Sequence, residues 1–127
     1  MRYLTKEQIL LIHSMIIDET GGSHGVRDYD AILSLESLPR QSVFGKELYP
    51  TLFAKAAVYA RNIISGHPFV DGNKRTAMTA ASVFLEDNGY KLAAEKGTVE
   101  KFALRLIKEK LNIEAIASWF KKNTGET

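Results

Sequence analysis

The chain has 127 residues, of which 45% are apolar and 25% charged, and its formal net charge is +2 at neutral pH. This length fits one domain around a single core, and the nearly balanced charge gives no indication of nucleic-acid binding. The absence of cysteine excludes disulfides and thiol catalysis. The first residues lack the apolar stretch of a signal peptide, and no apolar run approaches the ~20 residues that cross a bilayer, so we expect a cytoplasmic protein with no membrane partner.

The first two predicted helices are marked by their capping residues. Thr5 and Gln8 match a capping box, and the helix that follows should end before Gly21. After a glycine-rich loop, Asp28 is a plausible N-cap for a second helix that runs through Leu38. We expect the proline that follows to stop this helix.

The third predicted helix has the broadest apolar face. The stretch from Arg40 to Tyr49 has no helical period and predicts a loop or a short hairpin. Pro50 suits the first turn of the helix, and Gly66 fits its left-handed C-terminal cap. A face this broad predicts a central, buried helix. Its members are Leu52, Phe53, Ala56, Ala57, Ala60, Ile63 and Ile64.

Three more helices complete the predicted architecture. We expect them over Asn73–Asn88, from Thr98 to Lys110, and from an Asn112 cap to about Lys122. Strand-like patterning is confined to short pieces near 43–49 and 90–94. The sequence therefore predicts an all-α protein: one compact bundle of about six helices forming a single domain over the whole chain, with helices three and four joined by a tight loop.

That loop collects groups that suit an anion. It runs from His67 into the start of the fourth helix, where unpaired backbone N–H groups and the helix dipole favour negative charge. Gly72 lets a phosphate approach the backbone closely. Asn73, Lys74 and Arg75 add donors, and arginine can grip phosphate oxygens in bidentate fashion. The alternative is that the two cations are solvated charges, although cations in a first helical turn oppose the dipole.

A base and a hard oxygen ligand lie in the same ten residues. Imidazole has a reference pKa of about 6.5, so His67 can take a proton from a hydroxyl near neutral pH. Asp71 could ligate Mg²⁺ that bridges phosphates, or could be only a turn or capping residue. A base, a metal ligand and an anion cradle together favour phosphoryl or nucleotidyl transfer.

The segment His67-Pro68-Phe69-Val70-Asp71-Gly72-Asn73-Lys74-Arg75 resembles the signature loop of the Fic/Doc family. The family pattern is His-Pro-Phe-x-Asp/Glu-Gly-Asn, followed by Gly-Arg in Fic proteins and Lys-Arg in Doc proteins, so this chain resembles the Doc branch. Weaker similarity covers Gly25–Asp28 and Phe44–Pro50. The resemblance implies the family's all-helical fold.

The resemblance also implies roles for the matched residues. His67 would be the general base and Asp71 would help to bind Mg²⁺. ATP phosphates would be held by Gly72, Asn73, Lys74 and Arg75. Doc proteins are toxins of toxin–antitoxin pairs that phosphorylate a threonine of elongation factor Tu and stop translation. The implied partners are therefore a cognate antitoxin and a translation factor.

Two departures from the Fic pattern favour a kinase over AMP transfer. Lys74 replaces a small glycine that makes room for phosphate, and Met78 replaces a second arginine. The alternatives are AMP or other NMP transfer by the same loop, or a catalytically silent binding module. No Ser/Thr-x-x-x-Glu-Gly/Asn inhibitory motif is found: Ser82 and Glu86 have the spacing, but Asp87 follows. We therefore expect inhibition by a separate partner.

The remaining polar and aromatic residues have structural interpretations. His13 is predicted to be structural and His24 exposed. Arg27 and Asp28 could together help to shape the site, although capping by Asp28 is the favoured interpretation. Trp119 and its neighbour Phe120 are predicted to be core or a packed helix end, in preference to a platform for a cofactor. The stretch from Phe44 to Tyr49 is either a flap that docks the target by edge pairing or an ordinary loop.

Overall fold

The computed structural model describes residues 1–127 and confirms the all-α prediction, with six helices and two small sheets. The helices are α1 Lys6–Thr20, α2 Tyr29–Ser34, α3 Leu52–Gly66, α4 Asn73–Asp87, α5 Lys96–Lys108 and α6 Ile113–Lys122. A 3₁₀ turn covers Leu38–Arg40, and the strands are β1 Ser42–Val43, β2 Lys46–Glu47, β3 Tyr90–Leu92 and β4 Thr124–Glu126. No helix is both long and apolar enough to span a membrane.

Helix α3 forms the centre of the bundle, as its broad apolar face predicts. Residues 56–60 are fully buried, and α3 packs against α4 on one side and α6 on another. The Tyr59 hydroxyl accepts a hydrogen bond from Leu4 N at 3.0 Å, which fastens the chain before α1 to this core. Phe120 is buried and Trp119 stacks on Phe102 with ring centroids 4.1 Å apart, so the core prediction for this pair is confirmed.

The second helix is shorter than predicted. It ends at Ser34, not at Leu38, because the chain tightens from there into turns whose N–H groups reach three residues back. Pro39 lies inside the 3₁₀ turn that follows. The Asp28 cap is confirmed, since its carboxylate accepts from Ala31 N at 3.1 Å.

Two other helix starts differ from the prediction. Pro50 precedes α3, whose N-cap is Thr51, because the threonine hydroxyl accepts from the Ala54 N–H. Helix α5 begins at Lys96, two residues before Thr98. The first and sixth helices begin at the predicted caps, and the Thr5–Gln8 capping box is complete.

The stretch before α3, which was predicted to be a loop or a short hairpin, forms a short hairpin. Strands β1 and β2 pair antiparallel, with Ser42 opposite Glu47. The buried Lys55 of α3 donates to Glu47 Oε1 at 2.8 Å and to the Pro39 carbonyl at 2.9 Å, which ties the hairpin to the core. Phe44 at the tip is completely exposed. The hairpin prediction is confirmed, and its use as a docking flap remains a prediction.

Candidate active site

The loop between α3 and α4 has a left-handed residue at each end. His67 has φ +50° and caps α3, so the prediction that Gly66 takes this conformation is wrong; Gly66 is the last helical residue. Gly72 has φ +79° and precedes α4. A Cβ at Gly72 would lie 3.0 Å from Ile17 Cδ1. Position 72 therefore favours glycine mainly for its conformation, since a small shift of the Ile17 methyl group could make room for a Cβ.

Asn73 holds the loop together from the first position of α4. Its side chain accepts from Phe69 N at 3.0 Å and donates to Phe69 O at 2.9 Å and to His67 Nδ1 at 3.1 Å. Asn73 is 5% exposed, so these bonds leave its amide unavailable for a phosphate. Any direct phosphate contact from Asn73, predicted above, is therefore limited to its backbone N–H.

The Asn73 contacts also define the resting state of His67. The backbone groups of Phe69 fix which end of the Asn73 amide is the NH₂ group, and that group can only donate. His67 Nδ1 must therefore accept, so the neutral ring carries its proton on Nε2. The imidazole itself is exposed beside the cleft.

His13 of α1 packs against the loop and is hydrogen-bonded to it. Its ring stacks on the buried Phe69 with centroids 3.7 Å apart and planes 6° apart. Its Nε2 donates to the Asp71 carbonyl at 2.8 Å. The prediction that His13 has a structural role is confirmed. His24 is exposed, as predicted, and its Nε2 lies 3.0 Å from Asp18 Oδ1.

The N-termini of α4 and α5 have no side-chain cap, whereas α1, α2, α3 and α6 each have one. The backbone N–H groups of the first turn of α4 are therefore open to an anion. Lys74 and Arg75 in this turn are exposed. Arg75 NH2 lies 3.2 Å from Glu19 Oε1 of α1, so part of its guanidinium is already paired.

These groups line one wall of a cleft of about 750 Å³. The wall comprises His67, Asp71, Gly72, Asn73, Lys74, Arg75 and the α4 residues Met78, Thr79 and Ser82. Most of the remaining lining is apolar and comes from β3 and α5, through Leu92, Lys96, Val99, Glu100, Ala103, Leu104 and Ile107. A polar, cationic end thus joins an apolar one, an arrangement that suits a ligand with phosphates and a ring.

Asp71 is exposed in the cleft, and its Oδ2 accepts from Ser23 N at 2.7 Å. No group of three or more histidine and carboxylate side chains is placed to hold a metal ion by itself. Mg²⁺ commonly takes one or two carboxylates and completes its shell with phosphate oxygens and water. Asp71 could therefore supply one carboxylate to a magnesium ion that is also held by phosphates.

Some contacts at the site involve residues for which no sequence pattern predicts a role there. Glu19 meets Arg75 and Ser23 meets Asp71, and their sequence separations are 56 and 48 residues. Arg27, expected only to help shape the site, donates from Nε to His67 O at 2.8 Å. No local pattern could predict the first two contacts, because they depend on how α1 and the glycine loop pack.

Residues 3–85 match the Fic/DOC family, so the chain belongs to the Fic/Doc family. It is 41% identical over 93 residues to Toxin Doc of Mycolicibacterium smegmatis, covering 73% of this chain and 69% of that protein. It is 33% identical over 89 residues to Protein kinase doc of Escherichia phage P1, covering 70% of each. Both relatives are Doc proteins, which confirms the branch that the loop sequence indicates.

Proposed function

We propose that the chain is a Doc-like toxin that transfers the γ-phosphate of ATP to a serine or threonine hydroxyl of a protein. The observation that carries this proposal is the uncapped N-terminus of α4, whose first turn contains Lys74 and Arg75. Both side chains line the same cleft as His67. The α4 N–H groups and these two cations would hold the phosphates. The apolar wall from α5 would receive the adenine ring.

In this reaction the acceptor oxygen bonds to the γ-phosphorus, the bond to the β,γ-bridging oxygen breaks, and ADP leaves. His67 would take the hydroxyl proton. The resting ring carries its proton on Nε2, so uptake at Nε2 requires that proton to move to Nδ1 and the Asn73 hydrogen bond to open. When bound, Mg²⁺ would neutralise phosphate charge, with Asp71 as its protein ligand.

Two side chains favour phosphoryl transfer over AMP transfer. Lys74 is at the second position of α4, where Fic proteins have the glycine that admits phosphate. Met78 lines the cleft where they have a second arginine. A cleft without that arginine should grip the distal phosphates less well in the AMP-transfer pose. AMP transfer is the main alternative because the same loop and base would serve it.

The named relatives support the biological role. One is called a toxin and the other a protein kinase. The proposed partners follow from that role: a cognate antitoxin that neutralises the chain in trans, and a translation factor, elongation factor Tu, as the substrate. Growth arrest on expression, relieved by co-expression of the adjacent reading frame, would support the antitoxin pairing. Inhibition of the isolated chain by its own termini would contradict it.

The proposal is tested by incubating a bacterial lysate with the purified chain and ATP labelled on either the γ- or the α-phosphate. We expect label on a protein from γ-labelled ATP only. A His67→Ala variant should transfer nothing while retaining the wild-type circular dichroism spectrum. Protein label from α-labelled ATP would support AMP transfer instead, and no label from either would support a binding module.

The departures at positions 74 and 78 allow a second test. Lys74→Gly should reduce kinase activity without producing an efficient AMP transferase, because Met78 still offers no grip on the distal phosphates. The double variant with Met78→Arg should gain AMP transfer. One charge-assisted phosphate contact is worth about 1.5–3 kcal/mol, or about tenfold or more in rate. Efficient AMP transfer by Lys74→Gly alone would contradict this account of the two positions.

A further inference from the structure

The segment Gly25–Asp28 runs alongside the active-site loop and is bonded to it at several points. Val70 N donates to Gly25 O at 3.0 Å, and Val26 forms an antiparallel bridge with Phe69. The approach is close, because a Cβ at Gly25 would lie 2.9 Å from Val70 Cγ2. The two segments are therefore held together along their length.

The hydrogen bonds of Arg27 and Asp28 converge on the turn at His67. The backbone N–H groups of both residues donate to Pro68 O, at 2.7 and 3.0 Å. The Arg27 side chain donates from Nε to His67 O at 2.8 Å and from NH2 to Gly66 O at 3.3 Å. One guanidinium thus bridges two carbonyls on either side of the left-handed turn.

The Arg27 side chain can stabilise two features of the chain at this point, the end of α3 and the left-handed turn. The last turn of α3 contains no basic residue, and its terminal carbonyls carry the negative end of the helix dipole. His67 itself has φ +50°, a conformation that residues other than glycine seldom adopt. A guanidinium on the Gly66 and His67 carbonyls stabilises both the helix end and the turn.

We propose that Arg27 is a positioning residue, which fixes the backbone of His67 while Asn73 fixes its ring. Arg27 does not line the cleft, so it acts through His67 and not on the nucleotide. Because Asp28 caps α2, the segment that carries Arg27 is itself anchored. This inference rests on the proposed function only where it takes His67 to be the catalytic base. The hydrogen bonds that hold His67 do not depend on that function.

The test compares Arg27→Ala with Arg61→Ala, which removes the same charge from an exposed site on α3 that has no bond to the loop. We expect kcat of Arg27→Ala to fall about tenfold or more, since small misplacements of a reacting group are costly, with KM for ATP within about twofold of wild type. Arg27→Lys keeps the charge but replaces the two guanidinium nitrogens with one ammonium nitrogen, so its kcat should lie between those of Arg27→Ala and wild type. Arg61→Ala should match wild type.

A second readout does not depend on activity. The ring ¹⁵N resonances of His67 should show the Nε2–H tautomer in wild type and in Arg61→Ala, and a mixture of tautomers in Arg27→Ala. If wild type transfers no phosphate but this change is seen, the positioning role stands and the kinase proposal fails. An unchanged His67 spectrum, or a tenfold higher KM with unchanged kcat, would overturn the positioning role.

Discussion

Replacing Asn73 with alanine should both disable the active site and destabilise the fold. The substitution removes three hydrogen bonds, two to Phe69 and one to His67 Nδ1. At about 1 kcal/mol each, the loss is about 3 kcal/mol, with a further contribution from the Phe69 backbone groups left unpaired in a buried setting. For a chain of this size that lowers Tm by about 10 °C.

Asn88 at the other end of α4 provides a matched control. Its side chain also makes three hydrogen bonds, with Arg2 N, Arg2 O and Phe84 O, and it does not line the cleft. Asn88→Ala should also lower Tm, but by less, because water can reach its more exposed partners. Asn73→Ala also removes the bond to His67 Nδ1 that opens during the reaction. Only this variant loses the two bonds to Phe69 that order the loop, and we expect that loss to dominate, so its kcat should fall about 100-fold, within the range of general-base contributions.

The assay is label transfer from γ-labelled ATP, measured at a temperature well below both midpoints so that each variant is folded. Circular dichroism melting curves give the two stabilities independently. The reasoning would be refuted if Asn73→Ala retained wild-type kcat, or if Asn88→Ala lost activity to the same extent. Either result would show that loop order does not limit the reaction.

Two further predictions concern charge. Glu19→Gln should free Arg75 to bind phosphate and should lower KM for ATP about twofold to fivefold, which is the scale of an exposed ion pair. The control Asp18→Asn should leave KM unchanged. A higher KM in Glu19→Gln would show that Glu19 orients Arg75 instead. Burial raises the pKa of Tyr59 from 10.0 to about 12. The unfolded chain therefore loses this proton first, so stability should fall by roughly 2 kcal/mol as pH rises from 10 to 12, and Tyr59→Phe should lack that part of the slope in urea unfolding.

Helix caps and periodicity were predictable because they depend on a few neighbouring residues. The Thr5–Gln8 box and the Asp28 and Asn112 caps satisfy N–H groups only three positions away, so the sequence contains the whole interaction. The motif loop was predictable for a related reason. Its glycine and its charged residues are contiguous, and their meeting at a helix start follows from the apolar helices on either side.

The errors and omissions depend on tertiary structure. A local rule assigns the left-handed cap to Gly66, but the Arg27 bridge and the Asn73 bond stabilise His67 in that conformation instead. Strand β4 was missed because its pairing with β3 joins residues more than thirty positions apart, Tyr90 with Glu126. The burial of the Asn73 side chain was not predictable from the sequence either, and the phosphate contact of Asn73 stays a prediction.

The measurement that tests the central claim most directly is mass spectrometry of the acceptor protein after incubation with the purified chain, ATP and Mg²⁺. The account predicts a phosphate adduct on a serine or threonine, formed by wild type and absent with His67→Ala. The released nucleotide should be ADP. An AMP adduct formed by the unmodified enzyme, or a phosphate adduct formed equally by His67→Ala, would contradict the account.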